Sequence, residues 1–180
     1  MFSPILDLVT THSEAAAVVA PRVRNIPRAL YAILALLVII ADQITKVMVE
    51  RAIPEHSITT VIPGFLNLTN TRNTGVAFGL FSDSPAPWKT ALLVIVSAAL
   101  LAVVVYMVWR SRQLPWQTGV GLALILGGAL SNLADRIRAG RVVDFIDAYF
   151  RSFHWYSFNL ADSAIVVGAC FLIIHLFTSD

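Results

Sequence analysis

The sequence predicts an all-α membrane protein, a four-transmembrane-helix bundle with a small β-sheet on one side. Three observations lead there. Of 180 residues, 57% are hydrophobic and only 13% are charged, whereas soluble domains carry about a quarter charged residues. The mean hydropathy is +0.75. Four apolar runs each come close to the ~20 residues that a ~30 Å hydrocarbon core requires. Runs this continuous cross lipid as helices, because unpaired backbone polar groups are costly in hydrocarbon.

Taken in order, residues 1–27 lack a basic residue ahead of the short run AAAVVA, which ends at Pro21. They do not read as a signal peptide and are expected to form a cytoplasmic tail. Residues 28–180 are expected to be a single membrane-embedded domain. The spans are expected at about 29–49, 89–109, 117–135 and 160–177. Residues 50–88 include ITTVIPGFLNLTNTRNTGVAFGLF, rich in β-branched residues and broken at Pro63-Gly64, Gly75 and Gly79. This segment reads as short strands and turns, a small sheet resting on the membrane. Residues 136–159 carry a dense set of aromatics from Phe145 to Phe158, which suits an interfacial belt. The net charge of +2 is spread along the chain, so no nucleic-acid partner is expected. Cys170 is the only cysteine and reads as a packing residue.

Acids break the apolar runs. Asp42 in VIIADQITK, Asp135 in GGALSNLADR and Asp162 in FNLADSAIVV lie in or at the edge of three of the four spans. A carboxylate at a helix centre costs about 2.5–3.5 kcal/mol on insertion scales, so three of them point to use. In an up-and-down bundle all three fall on one side, and the long connections bring Asp144 and Asp147 to the same side. The flanks of span one, with Arg22, Arg24 and Arg28, argue for a cytoplasmic N-terminus. Arginines elsewhere balance a simple count, so the first helix decides the orientation.

Each polar group also has a plainer reading. Asp42 and Lys46, four apart on one helix face, suit a self-neutralising pair. Asn132, Asp135 and Arg136 suit a polar helix end or a scaffold that orients other groups. Asn159 suits a helix cap, and Asp162 in the first turn gains from the helix dipole. Asp144 alternates with apolar neighbours in VVDFID, as in a surface strand, while its place beside the face of spans three and four suits partnership with Asp162. Gly75 in NTGVAF suits a turn or close approach of a ligand. The four histidines are scattered without paired spacing, so neither a catalytic zinc nor any other metal is expected. No GxSxG, Walker or GxGxxG segment occurs. Carboxylates remain, and the residues alone do not choose among the five.

In order, DQITK (42–46), NTGVAF (73–78), GGALSNLADR (127–136), VVDF (142–145) and FNLADS (158–163) resemble the motifs of the lipoprotein signal peptidases, or type II signal peptidases, of bacteria. The five are in register over about residues 30 to 175. One departure is Ser131, where the family usually has glycine. The resemblance implies four transmembrane helices with a small extracytoplasmic sheet and a covering loop or helix, set in the inner membrane with both termini cytoplasmic. It implies an aspartic endopeptidase in which Asp144 and Asp162 are catalytic, and Asp42, Lys46, Asn73, Gly75, Asn132, Asp135, Arg136 and Asn159 bind substrate or support the site. No cofactor is implied. The implied partners are membrane lipids and prolipoproteins cut just before a diacylglyceryl-modified cysteine, and a monomer is expected. A non-catalytic transport or scaffold subunit, using its carboxylates as proton or cation ligands, is the competing reading. Another kind of intramembrane aspartyl protease lacks its expected GxGD segment here.

Overall fold

In the computed structural model, the described residues are 26–74, 87–111 and 114–178. The expected tail at 1–27 lies outside them except for Ile26 and Pro27, and so does Gly75. The elements run α1 (Arg28–Ala52), β1 (Ile58–Ile62), β2 (Leu66–Asn73), α2 (Pro87–Arg110), α3 (Trp116–Ala139), β3 (Val142–Phe150), β4 (Phe153–His154) and α4 (Leu160–Thr178). All four helices contain stretches long and apolar enough to cross a membrane.

The bundle is arranged around α3. It packs against α4, α1 and α2, and α2 packs mainly on α3. The least apolar of the four, α3, is the most buried, and the most apolar, α2, is the least buried. Large apolar side chains on α2 such as Leu92, Ile95 and Leu100 are exposed. This reverses the pattern of a soluble bundle and is what hydrocarbon as solvent demands.

Close approach of α3 and α4 depends on Gly128. A Cβ there would overlap the backbone carbonyl of Ala161 and press on Ile165. Backbone cannot swing away as a side-chain tip can, so Gly128→Ala forces the two helices apart. Overpacking of this kind costs about 1–3 kcal/mol. The expected result is a lower unfolding temperature in detergent, and an unchanged temperature would count against this packing.

Four antiparallel strands form the sheet, in the order β1-β2-β3-β4. The expected turn at Pro63-Gly64 joins β1 and β2. Phe65 N–H donates to Ile62 O at 3.1 Å, and Gly64 has φ 81°, as position three of a type II turn requires. In register, Asn67 faces Asp147, Thr71 faces Asp144 and Asn73 faces Val142. Val49 and Ile53 at the end of α1 pack with Phe145, Leu68, Ile146 and Leu160. This cluster holds the sheet against the helix ends.

The helices run past the expected spans, and one plainer reading needs correction. The third helix continues past residue 135 to Ala139, ending at Gly140 with φ 69°. Arg136 and Arg138 in its last turn suit the negative end of the helix dipole, so Asp135 lies a turn inside the helix. VVDFID, whose alternation suits a surface strand, lies instead in an interior strand in which Val142, Val143, Asp144, Phe145 and Asp147 are buried. Val142–Phe150 is flanked by β2 on one side and by Phe158 and β4 on the other. Of the aromatics in this segment, Phe150, Phe153, Trp155 and Tyr156 are exposed. The strands of the 50–88 segment occupy 58–62 and 66–73.

Candidate active site

The site forms where the end of α1, the end of α3, the start of α4 and the β2–β3 ladder meet. Asn159 stands at its centre and is fully buried. Its Oδ1 accepts the Asp162 N–H at 2.9 Å, and its own N–H donates to Asp162 Oδ2 at 3.2 Å. This is a reciprocal capping box with aspartate in the usual glutamate position. The cap reading of Asn159 is therefore correct but incomplete. Its Nδ2 also donates to Asp144 Oδ1 at 2.7 Å and to Asn132 Oδ1 at 3.2 Å. One residue thus touches both Asp144 and Asp162.

Each of these carboxylates accepts further amide donors. Asn73 Nδ2 donates to Asp144 Oδ2 at 2.9 Å. Asn132 Nδ2 donates to Asp162 Oδ1 at 2.8 Å. Such N–H donors stabilise negative charge while leaving the cation count unchanged.

Behind this shell lies an ionic one. Lys46, 3% exposed, contacts Asp42 Oδ2 and Asp135 Oδ2 at 2.6 Å each. Its third donor goes to Asn132 Oδ1 at 2.9 Å, so all three ammonium hydrogens are used. Asp42, fully buried, accepts the Ala161 N–H at 2.9 Å on its other oxygen. That bond ties α1 to the first turn of α4, the turn that carries Asp162. The expected Asp42–Lys46 pair exists, with Asp135 as its third member. Arg136 reaches Asn132 O with Nη1 at 3.5 Å and lies within electrostatic range of Asp162, Asp144 and Asp135.

Ser131 does more than fit where glycine is expected. Its hydroxyl donates to Asp42 Oδ2 at 2.7 Å and accepts from Gln43 Nε2 at 3.0 Å. Gln43 also donates to Asp135 Oδ1 at 2.8 Å. Gln43 was missed by sequence reasoning, and the only signal was an uncharged polar residue beside Asp42. Asp147, grouped with the other acids by topology, pairs instead with Asn67 and His154. Among the described residues no three His, Cys, Asp or Glu side chains are grouped to hold a metal ion.

Burial pushes the Asp144 carboxyl up from an ordinary 3.8 to about 6, and the charge of Asp162 adds to this. The amides of Asn73 and Asn159 and the charge of Lys46 pull the other way. A raised carboxyl makes the native state bind more protons than the unfolded chain between those two values. Stability from this group is therefore complete below about pH 4 and is lost as pH rises to about 6. The loss is about 3 kcal/mol. The unfolding temperature of Asp144→Asn relative to the unsubstituted protein is expected to rise between pH 4 and 7. A difference that stays flat across that window would contradict this.

The comparisons with known proteins converge. The sequence model of the family described as Signal peptidase (SPase) II matches residues 34–178. The Lipoprotein signal peptidase of Solibacter usitatus (strain Ellin6076) is 44% identical over 142 residues, covering 79% of this chain and 87% of the relative. That of Syntrophus aciditrophicus (strain SB) is 37% identical over 150 residues, 83% of this chain and 93% of the relative. A solved structure described as a bacterial membrane enzyme, determined by the in meso method at 2.3 Å resolution, superposes with a TM-score of 0.75 at 34% identity. It covers 83% of this chain and 88% of that one.

Proposed function

The chain belongs to the signal peptidase II family, and from that membership we propose that Asp144 and Asp162 are its catalytic pair. The protein is an aspartic peptidase of the membrane that cleaves signal peptides from prolipoproteins. The observation that carries the residue assignment is Asn159, which binds Asp144 through its side chain and Asp162 through its cap.

Two carboxyl groups that share Asn159 and feel each other's charge do not both ionise cheaply, so they share one proton and titrate as a pair. The ionised member draws a proton from a bound water, and that water attacks the scissile carbonyl. The protonated member hydrogen-bonds to the carbonyl oxygen as negative charge develops there. The intermediate collapses as a proton passes to the leaving amine. Asp42 and Asp135 offset much of the Lys46 charge, so its pull on the Asp144 proton stays smaller than the effect of burial. Asp42, Lys46, Asn73, Asn132, Asp135, Arg136 and Asn159 hold the pair in position. Gly75 joins that group by its motif alone.

The substrate is a prolipoprotein whose cysteine carries diacylglycerol, and the cut falls just before that cysteine. Acyl chains bind the bilayer by about 0.8 kcal/mol per buried CH₂, so a substrate of this kind stays in the membrane plane. The site faces the extracytoplasmic side of the bacterial inner membrane, with the sheet and its covering segment outside. Both termini, including the tail at 1–27, are cytoplasmic. The enzyme works as a monomer in contact with lipid, since one chain supplies every group of the pair and its support. The test is purified protein in lipid nanodiscs with a synthetic diacylglyceryl prolipopeptide, the products being weighed by mass spectrometry. A single cut before the modified cysteine is expected, and no cut or a cut elsewhere would refute the reading.

A further inference from the structure

A hollow of about 430 Å³ opens beside the sheet, and neither Asp144 nor Asp162 lines it. Its size falls in the ~300–1,000 Å³ range of ligand sites. Thr69, Thr71, Asp147 and His154 give it a polar lining, and Trp155 and Tyr156 add aromatic surface. Thr69 and Asp147 are each 5% exposed, so these polar groups are built in rather than incidental. The Asp147 carboxylate accepts Asn67 Nδ2 at 2.8 Å and lies 2.9 Å from His154 Nδ1. The His154 ring is stacked on Tyr149 with centroids 4.9 Å apart and planes 8° from parallel. With Nδ1 committed to Asp147, Nε2 is the polar atom left on a ring already fixed in orientation. The two threonine hydroxyls lie 3.3 Å apart. Thr71 directly faces Asp144 across the β2–β3 ladder, so the hollow begins one strand from a carboxylate of the proposed pair.

We propose that this hollow is a subsite for the polar peptide that follows the modified cysteine, with His154 and Thr71 as its hydrogen-bonding residues. The inference rests on the proposed substrate and deepens it. Such a substrate has an apolar signal segment, two acyl chains and a water-side continuation. The first two belong in hydrocarbon, and a buried polar lining offers them nothing. The continuation is the part that brings backbone and side-chain polar groups. Aromatic walls with a few fixed polar atoms are the usual make-up of a site for a short peptide of this kind.

The test compares two diacylglyceryl prolipopeptides, one with six polar residues after the cysteine and one ending at the cysteine as its amide. For the unsubstituted enzyme kcat/KM is expected to be about tenfold higher on the longer peptide, mainly through KM, as one or two hydrogen bonds supply. In His154→Ala this ratio falls to about one. Thr71→Val keeps the side-chain shape, removes the hydroxyl and lowers the ratio if His154→Ala fails to fold. A ratio near one in the unsubstituted enzyme, or a ratio unchanged in both variants, overturns the subsite. Cleavage of both peptides by Asp144→Asn would instead overturn the catalytic assignment, so the two failures are distinct.

Discussion

Asp144→Asn and Asp162→Asn each leave folded protein that cuts a diacylglyceryl prolipopeptide at least ~10³-fold more slowly. An amide neither takes a proton from water nor shares one with its neighbour, and a positioned acid–base group contributes about 10²–10⁴ in rate. The two variants differ in how well they fold. At position 144 the new carbonyl keeps the bond from Asn159 Nδ2, and the new amide meets Asn73 Nδ2 at the half-buried end of β2, where water relieves the mismatch. At position 162 the carbonyl keeps the backbone N–H of Asn159, and the new amide meets Asn132 Nδ2. Asn132 is held because its oxygen already accepts Lys46 and Asn159, and flipping it would aim N–H groups at an ammonium. The Asp162 variant is therefore expected to unfold at the lower temperature of the two. Mass-spectrometric rates with thermal unfolding in the same detergent check both statements. Residual activity within tenfold in either variant ends the assignment, and the reverse order of stability ends the account of Asn132.

Much of this arrangement was readable from the chain. The four spans announce themselves because hydrocarbon demands long apolar helices, and the Pro63-Gly64 turn because few residues besides glycine accept its backbone. The site is harder. Helical spacing places Asp42 with Lys46 and Asn132 with Asp135, since such contacts lie within one turn. It does not tell that Lys46 of α1 bridges to Asp135 of α3, because the glycines that allow close approach, Gly127 against Ala35 of α1 and Gly128 against Ala161 of α4, do not say which polar side chains then meet. The link between Asp144 and Asp162 was invisible to the physics of single segments, because it passes through the second amide hydrogen of a residue whose cap already explained it. Family resemblance pointed to that pair. The alternation in VVDFID fits a half-exposed surface strand as well as one buried between neighbours, so it leaves the burial of Asp144 open. Gln43 has no periodic signature, and its role appears only once Ser131 and Asp135 are beside it.

Lys46→Met is expected to cost about 3–5 kcal/mol, the range for removing one partner of a buried ion pair. Stabilities of about 5–15 kcal/mol are usual for a domain, so the variant sits near the edge of folding. Asp42, fully buried, would keep Ser131 and the Ala161 N–H but lose its cation. Asp135 would keep Gln43 and is 15% exposed at its side chain, so water relieves it in part. The penalty therefore falls mainly on Asp42. Asp42→Asn combined with Lys46→Met removes charge and countercharge together, and this double variant is expected to be more stable than Lys46→Met alone, a coupling that a double-mutant cycle measures. Activity does not return with stability. Asn132 keeps Asn159 but loses the ammonium on its oxygen, so the amide that holds Asp162 is less firmly oriented, and kcat stays low while KM changes little. A double variant no more stable than the single one, or one with full kcat, would show that Lys46 neither balances Asp42 nor orients Asn132.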